Sequence, residues 1–300
     1  MKILVITGGT SSERLISQMS AKQVKGGLEE TGHQVKLFDL KKGFPALKKL
    51  SYDFDVIFPV IHGEEGEGGN LQKFLSTLGK PFIGGDHKGY KKGWYKLSFK
   101  KFSDENKILT APWKKVKSLK DIKNFGLPAV LKSTSGGSSR EVVIIKEEKD
   151  FINPLLKKLL KSKLPLFVEK YLPGVEITVG ILENEALPVV EIVPPKDGWF
   201  DYQNKYWGKT KEIPFAPSVS KKLQKKAQQI AQQIHITLKL GQFSRTDFIV
   251  SNGEVYVLEV NTIPGLTASS LFPKAAQAVG ITFPKLLDKI IKLSYANKIP

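Results

Sequence analysis

The 300-residue chain contains no cysteine, two methionines and only three arginines. The missing cysteines exclude a disulfide scaffold, a cysteine nucleophile, an iron–sulfur cluster and a thiolate zinc site. No run of residues approaches the roughly 18 apolar residues of a membrane-spanning helix. The start, MKILVITGG, lacks the longer apolar segment and the cleavage site of a signal peptide, and it predicts a first β-strand instead. We therefore expect a soluble, cytoplasmic protein.

Positive charge is in excess, because 47 Lys and Arg residues stand against 29 Asp and Glu residues, for a formal net charge of +18. Such an excess can indicate a nucleic-acid or membrane-surface partner. Lysine supplies nearly all of it, so the chain has few of the planar guanidinium groups that recognise base edges. The densest stretch, residues 88–123, holds twelve lysines and three acidic residues. We favour a solvated lysine face there, with a polyanion-binding patch as the alternative.

Length and hydrophobic pattern together predict three units. At roughly 100 to 200 residues per domain, the chain should hold two or three domains. In residues 1–87, short apolar runs alternate with helical periods, which predicts an α/β domain with a parallel, doubly wound sheet. Residues 88–182 predict a smaller α+β unit, and residues 183–300 predict another α+β unit with a long polar and aromatic loop over 194–217.

Individual helices can also be placed. The pattern predicts helices over 14–30, 149–161 and 220–236. The dipeptide Asn-Gly at 252–253 stands between two alternating apolar runs and predicts a two-residue hairpin turn. Counting outward from that turn places Asp247 opposite Leu258 and beside Glu259.

Three glycine-bearing loops follow predicted strands. Ligand sites in parallel sheets lie at the carboxyl ends of the strands, where GGTSSER (8–14) and HGEEGEGG (62–69) are found. The third loop, KSTSGGSSRE (132–141), joins two predicted strands and is not a Walker A sequence, which would lead into a helix. We interpret this third loop as a hairpin tip that folds over a nucleotide. The alternative is a mobile Gly/Ser turn without a ligand.

The predicted hairpin carries the most specific chemistry. Alternation places Arg245 and Asp247 on one face of the first strand, and Glu259 and Asn261 on one face of the second. Oxygen ligands without His or Cys suit Mg²⁺ bound to substrate phosphates, and an arginine beside them can neutralise charge on a transferred phosphoryl group. The alternative is a salt bridge of Arg245 with Asp247 or Glu259 on a solvated sheet face. The scarcity of arginine favours the metal site.

Seven segments, in order, resemble those of the D-alanine–D-alanine ligases of the ATP-grasp superfamily. They are GGTSSE (8–13), HGEEGEGG (62–69), SGGSS (135–139), EKYLPGVEIT (169–178), FDYQNKY (200–206), SRTD (244–247) and EVNTIPGLT (259–267). The resemblance covers nearly the whole chain and implies an ATP-grasp fold in which two α+β units clamp ATP. It also implies a homodimeric cytoplasmic enzyme of peptidoglycan and cell-wall synthesis. That enzyme ligates two D-alanine molecules through D-alanyl phosphate with ATP and two Mg²⁺ ions, or Mn²⁺.

The resemblance further implies residue roles. The ATP-binding positions would be Lys96, Lys132, Ser139, Glu169, Lys170, Tyr171, Leu172, Glu176 and Lys205. The metal ligands would be Asp247, Glu259 and Asn261. The catalytic positions would be Glu13, Ser138, Tyr206, Arg245 and Gly265. The amino-acid substrates would meet Glu13, His62, Arg245, Gly265, Ser270 and Leu271.

Within these implied roles, Glu13 would bind the ammonium of the first D-alanine with help from His62. Arg245 and the Gly265 N–H would stabilise the tetrahedral oxyanion, and Glu13, Ser138 and Tyr206 would link three parts of the site. Taken singly, Glu13 could instead cap the helix that follows it. His62 could be an ordinary loop histidine.

The chain departs from the usual family pattern at a few positions. Ser133 stands where a proline is usual, Arg140-Glu141 where Val-Gly is usual, Trp94-Tyr95 where Met-Asp is common, and Ser244 where a glycine is usual. Ser244 is a position that should tolerate a small side chain. Tyr206 matches the branch that forms a dipeptide rather than D-alanyl-D-lactate. Two alternatives stay open: an ATP-grasp ligase for another amino-acid pair, and a basic nucleic-acid-binding protein.

Overall fold

The computed structural model of the chain describes residues 1–137, 140–195 and 210–296. Four of the predicted site residues lie outside the described residues, namely Ser138, Ser139, Lys205 and Tyr206. Most of the long loop predicted over 194–217 also lies outside them. The described residues form a mixed α/β structure with one parallel and two antiparallel sheets.

The helices and strands have the following bounds. The strands are β1 Lys2–Thr7, β2 Gln34–Asp39, β3 Val56–Pro59, β4 Trp113–Val116, β5 Ala129–Ser133, β6 Val142–Ile145, β7 Leu166–Lys170, β8 Val175–Leu182, β9 Glu185–Ala186, β10 Val190–Val193, β11 Lys211–Pro214, β12 Phe243–Ser251 and β13 Glu254–Asn261. The α-helices are α1 Arg14–Glu30, α2 Gly43–Ser51, α3 Glu64–Glu67, α4 Asn70–Ser76, α5 His87–Trp94, α6 Lys96–Glu105, α7 Leu119–Phe125, α8 Pro154–Lys161, α9 Lys221–Leu238, α10 Leu271–Gln277 and α11 Phe283–Ala296.

The first sheet is parallel, has the strand order β2-β1-β3 and is covered on both faces. Successive residues of a strand point to opposite faces. Ile3 and Val5 therefore pack with α1 and α11, whereas Leu4 and Ile6 pack with α2 and α4. The predicted doubly wound sheet is confirmed, and the loops at the carboxyl ends of β1 and β3 lie side by side.

The last helix of the chain packs on the first. A Cβ atom at Gly27 would lie 2.8 Å from Leu287 Cδ1, so a larger residue there would displace this leucine side chain of α11. His33 Nε2 also lies 3.2 Å from Asp288 Oδ1 of α11. One hydrophobic core thus joins the N-terminal sheet to the C-terminal end of the chain.

The second sheet is antiparallel, with order β4-β7-β5-β6, and α7 and α8 cover one face. A single helix over 149–161 is wrong, because Glu148–Ile152 forms a 3-10 helix and α8 begins at Pro154. Proline disfavours the helical conformation in the residue before it, and it fits the first turn of a new helix. The Asn153 side chain accepts a hydrogen bond from the Leu155 N–H at 2.9 Å and so caps α8.

The third sheet has the order β11-β10-β8-β12-β13, and its hairpin turn is confirmed. Asn252 and Gly253 have φ values of 50° and 76°, the left-handed conformation that two-residue hairpin turns require. The expected register is wrong beyond Phe248, since Asp247 pairs with Glu259 and not with Leu258. A β-bulge inserts Leu258 as an extra residue, and a bulge of this kind cannot be counted from the turn.

The lysine-rich stretch forms α5, α6, β4 and α7. Two of its lysines, Lys96 and Lys100, are turned inward, and the other ten are exposed. The solvated lysine face stays a prediction, because exposed lysines are common to it and to a polyanion-binding patch. In the part of the chain that the structure describes, no helix is both long and apolar enough to cross a bilayer.

Candidate active site

Two cavities lie beside the hairpin of β12 and β13. The first, of about 250 Å³, lies between the second and third sheets. The second, of about 310 Å³, lies between α1, the loop after β3 and the loop after β13. Both are lined by Lys96, Gly136, Gly137 and Glu259, so the two cavities meet there.

The glycine loop between β5 and β6 forms part of this junction. Gly136 has a φ of 116°, and a Cβ atom there would lie 2.5 Å from Glu141 Oε2. Only glycine fits this backbone without strain. The Gly136 carbonyl accepts a hydrogen bond from Lys96 Nζ at 3.0 Å, which ties the loop to α6. Antiparallel pairing of β5 and β6 confirms that the loop is a hairpin tip.

The first cavity has apolar walls from both sheets, with Val130 and Ile144 on one side and Ile249 and Leu258 on the other. Two apolar walls with polar groups at one end suit a flat aromatic ring that carries phosphates. Leu258 lines this cavity as the extra residue of the bulge. The seven described positions predicted to bind ATP all line it: Lys96, Lys132, Glu169, Lys170, Tyr171, Leu172 and Glu176.

Glu169 lies between two lysines at the floor of this cavity. Its Oε1 atom lies 2.5 Å from Lys132 Nζ, and its Oε2 atom pairs with Lys100 Nζ. Burial alone would raise the pKa of Glu169, but the two ammonium groups lower it to about 2. Burial lowers the pKa of Lys100, which is only 2% exposed.

The bulged hairpin brings together Arg245, Asp247, Glu259 and Asn261. Arg245 Nε and Nη2 donate to the two oxygens of Asp247, both at 2.9 Å. Asn261 Nδ2 also donates to Asp247 at 2.9 Å. Glu259 lies 3.2 Å from Lys96 Nζ. The salt bridge considered as an alternative therefore exists, but it is buried, with side chains 12% and 6% exposed, and not on a solvated face.

These side chains fit magnesium that arrives with phosphates. Asp247 and Glu259 stand opposite each other at the junction of the cavities, with Asn261 beside them. Among the residues described, no group of three His, Cys, Asp or Glu side chains could hold a metal alone. Mg²⁺ is usually held by one or two carboxylates together with substrate phosphates, so this donor set suits it.

The second cavity contains Glu13, His62 and Glu67. Glu13 occupies the position before α1 but makes no side-chain capping hydrogen bond, so the capping alternative is wrong. Its carboxylate lies over the glycine loop, where a Cβ atom at Gly137 would be 3.0 Å from Glu13 Oε2. His62 is buried, and burial lowers its pKa although nearby Glu13 opposes this. The cavity therefore holds a neutral imidazole beside a carboxylate, a pair that can bind the ammonium group of a ligand.

The three glutamates of the loop after β3 have separate partners. Glu65 accepts the N–H groups of Thr10 and Ser11 and so holds the first glycine loop. Glu64 accepts the Tyr95 hydroxyl at 2.7 Å, and Glu67 accepts the Gly63 N–H at 3.0 Å. The acidic loop thus orders the wall of the second cavity.

Glu67 predicts an unusual pH dependence of stability. Burial, followed by the nearby charge of Glu13, raises the pKa of Glu67 to about 8. The folded state keeps a proton that the unfolded state releases above its ordinary pKa, so Glu67 lowers the free energy of unfolding as pH rises from about 4.5 to 8. We expect Glu67→Gln to match the parent at pH 4.5 and to exceed it at pH 8.5 in urea denaturation. Parallel stability curves for the two proteins would contradict this.

The far wall of the second cavity comes from the loop before α10. A Cβ atom at Gly265 would lie 2.9 Å from Ser270 Oγ, so the Gly265 backbone and the serine hydroxyl adjoin. Ser270 Oγ accepts the Thr267 N–H at 3.2 Å, which fixes its rotamer. Leu271 lines the same wall. The five predicted substrate positions other than Arg245 surround the cavity, and Arg245 lies at its base.

Comparison with known proteins places this geometry in a family. The family model described as "D-ala D-ala ligase C-terminus" matches residues 96–292. The chain belongs to the D-alanine–D-alanine ligase family. A D-alanine–D-alanine ligase of Aquifex aeolicus is 39% identical over 298 residues, covering 97% of this chain and 100% of the relative. That of Maridesulfovibrio salexigens is 35% identical over 307 residues, covering 99% and 100%.

Solved structures of the family agree with this assignment. The D-alanine–D-alanine ligase of Bacillus anthracis complexed with ATP has a TM-score of 0.84 at 30% identity, covering 99% of this chain and 98% of that one. The VanG D-Ala:D-Ser ligase of Enterococcus faecalis has a TM-score of 0.80 at 25% identity, covering 98% and 99%. The predicted family and the ATP-grasp fold are confirmed.

The structure shows the surroundings of three departures from the usual ligase pattern. Ser244 is fully buried, and its Oγ lies 2.8 Å from His235 Nδ1, so the strand accommodates the hydroxyl as expected. Trp94 lines the second cavity, and Arg140 lines the first.

Sequence reasoning missed Lys100 as the buried partner of Glu169, and it gave Glu67 no individual role. Lys100 stands four residues after Lys96 on one helical face, next to apolar Phe99, and that was the one available signal.

Proposed function

We propose that this enzyme joins two D-alanine molecules to form D-alanyl-D-alanine, with ATP converted to ADP and phosphate. The observation that carries the proposal is the meeting of the two cavities at Lys96, the glycine loop and Glu259. A nucleotide in the first cavity and an amino acid in the second would bring a γ-phosphate and a carboxylate together only there. Proximity of this kind supplies a large part of the rate enhancement of two-substrate enzymes.

In the first cavity, Lys96 and Lys132 would bind the phosphates of ATP. The main chain from Glu169 to Leu172 would meet the adenine edge, and Glu176 the ribose. The anchoring of Lys132 by Glu169 supports this arrangement, because a lysine held at one end of a cavity is a preorganised phosphate ligand. Ser139 and Lys205 would complete the nucleotide site.

Asp247, Glu259 and Asn261 would hold two Mg²⁺ ions, or Mn²⁺. Metal ions at such a site neutralise the charge of the phosphates and orient them for in-line transfer. The pairing of Asp247 with Glu259 across the bulged hairpin supports this assignment. Arg245 holds both oxygens of Asp247 and fixes the orientation of that carboxylate.

In the second cavity, Glu13 would bind the ammonium of the first D-alanine, with His62 beside it. A carboxylate oxygen of this substrate bonds to the γ-phosphorus as the bond to the β–γ bridging oxygen breaks, and ADP leaves with that electron pair. Lys96, which already lies 3.2 Å from Glu259, would stabilise the charge on the transferred group. The product of this step is D-alanyl phosphate.

The amine of the second D-alanine then bonds to the carbonyl carbon of the acylphosphate. A proton leaves the nitrogen, and phosphate departs with the electron pair of the broken C–O bond. Arg245 and the Gly265 N–H would stabilise the tetrahedral oxyanion, and Ser270 and Leu271 would receive the second carboxylate. Tyr206 and Ser138, with Glu13, would close the site and keep the acylphosphate from water.

Phosphate release tests the proposed reaction. With Mg²⁺ and ATP, we expect D-alanine to stimulate phosphate release and L-alanine to leave it at the level of the buffer blank. D-serine or D-lactate supplied with D-alanine tests the second-substrate alternatives, and we expect the dipeptide of D-alanine as the main product. Because the chain is similar to a D-Ala:D-Ser ligase, D-serine tests the specificity for the second substrate more stringently than D-lactate does. No stimulation by D-alanine would overturn the proposal.

We further infer a cytoplasmic homodimer without a nucleic-acid or membrane partner. The two cavities suit ATP and D-alanine, and both are substrates found in the cytoplasm. Gel filtration with light scattering checks the oligomeric state. Oligonucleotide binding that weakens steeply with salt would instead favour the polyanion alternative.

A further inference from the structure

Lys100 is a charged side chain that no substrate could touch. It is 2% exposed and lines neither cavity. Burying an ammonium is unfavourable unless close partners compensate for the lost water. Ten other lysines of residues 88–123 are exposed, so the burial of Lys100 on α6 requires a specific partner.

The contacts of Lys100 reach two different sheets, one directly and one through Thr110. Its Nζ pairs with Glu169 on β7 of the second sheet. It also donates to Thr110 Oγ1 at 2.5 Å, and Thr110 Oγ1 donates in turn to the Val257 carbonyl on β13 at 3.0 Å. The Val257 N–H donates to the Leu109 carbonyl at 2.9 Å on the same segment. One ammonium therefore braces the two sheets that enclose the first cavity.

Glu169 connects Lys100 to a residue that lines the cavity. Its second oxygen holds Lys132 Nζ at 2.5 Å, and Lys132 lines the cavity. With Lys100 present, Glu169 divides its charge between two cations and stays ionised. Without Lys100, Lys132 would be the only close partner of a buried carboxylate and would be drawn toward it, away from a phosphate.

We propose that Lys100 is a positioning residue for nucleotide binding, which acts through Glu169 to set Lys132 for the phosphates of ATP. This inference rests on the proposed function, because it takes the first cavity as the ATP site. The same brace fixes β13 two residues before Glu259, through Thr110 and Val257. Lys100 thus couples the phosphate-binding lysine to the strand with the metal ligands.

The test compares Lys100→Met with Lys101→Met. Methionine keeps the unbranched stem and removes the charge, while Lys101 is the exposed neighbour on the same helix. We expect Lys100→Met to weaken Mg-ATP binding by about tenfold, as breaking a buried pair leaves its partner uncompensated. Adenosine has no phosphates for Lys132 to bind, so its affinity should change by less than about threefold. Calorimetry measures Mg-ATP, and NMR competition measures adenosine.

A double variant separates positioning from packing. If Lys100 acts through Glu169, adding Lys100→Met to Glu169→Gln should change Mg-ATP affinity by less than about threefold. Thr110→Val keeps the charges of Lys100 and Glu169, and it replaces Lys100→Met in the test if that variant does not fold. It should weaken Mg-ATP more than adenosine.

The outcomes separate the inference from the proposed function. Equal losses for Mg-ATP and adenosine, or a lower melting temperature with both affinities unchanged, would overturn the positioning role. An effect of Lys101→Met as large as that of Lys100→Met would do the same. Failure of the parent protein to bind Mg-ATP would overturn the proposed function and this inference together, whereas a binding parent with an equally binding Lys100→Met variant would overturn only the inference.

Discussion

Glu259→Gln should abolish dipeptide synthesis while the protein stays folded. Glu259 is the acidic residue common to both cavities, and it lies opposite Asp247 across the bulge. Glutamine keeps the shape but removes the charge that would bridge two metal ions. We expect turnover to fall by about 10³-fold or more, since metal-centred charge stabilisation contributes several kcal/mol. Steady-state phosphate release measures the loss.

A matched control lies on the same strand. Glu254 begins β13, is about half exposed and pairs with Lys226 at the surface. Glu254→Gln removes the same charge away from both cavities, so turnover should stay within about twofold of the parent. Near-normal turnover in Glu259→Gln would mean that the metals bind elsewhere. Circular dichroism and urea denaturation establish that both variants are folded.

Arg245→Lys should give the second-largest loss. Lysine retains a positive charge beside Asp247, so the buried carboxylate keeps a partner, but the two parallel hydrogen bonds at 2.9 Å cannot both be reproduced. We expect kcat to fall by about 10²-fold, the usual consequence of losing one oxyanion donor, with Mg-ATP affinity changed by less than about threefold. Single-turnover measurements assign the loss to chemistry rather than to binding.

The same exchange can be made at another arginine–aspartate pair. Arg14 donates from Nη1 and Nη2 to the two oxygens of Asp39, and neither residue lines either of the two cavities. Arg14→Lys should lower stability with kcat within about threefold of the parent. Equal losses of kcat in Arg14→Lys and Arg245→Lys would point to general destabilisation and would remove Arg245 from the chemistry.

Local signals explain what the sequence could predict about the fold. Helix α1 spans the predicted residues 14–30, and the Asn-Gly turn lies where expected, because periodicity and turn chemistry are encoded over a few neighbouring residues. The register beyond Phe248 failed because a bulge depends on what β12 and β13 each pack against. The predicted helix over 149–161 is wrong at Pro154, because a proline at the first helical position marks the start of a separate helix.

The residues of the candidate site also differ in how far the local sequence predicts them. Residues such as Arg245 and Glu259 stand in motifs whose residue types indicate their chemistry. Lys100 stands in a stretch of lysines, and nothing within a few residues tells it apart from Lys101. Its burial follows from the packing of α6 between β7 and β13, which are about 70 and 150 residues away in sequence. The predicted roles of the individual site residues stay predictions.

The packing of α11 on α1 bears on the order in which the chain can fold during synthesis. Leu286, Leu287 and Ile290 fill the face of the first sheet that also contains Ile3 and Val5. The ribosome makes that sheet before the second and third sheets and this helix after them, so one face of the first sheet stays uncovered while the other two assemble. Domains usually fold as they emerge. Here the first sheet can be completed only after α11 has been made.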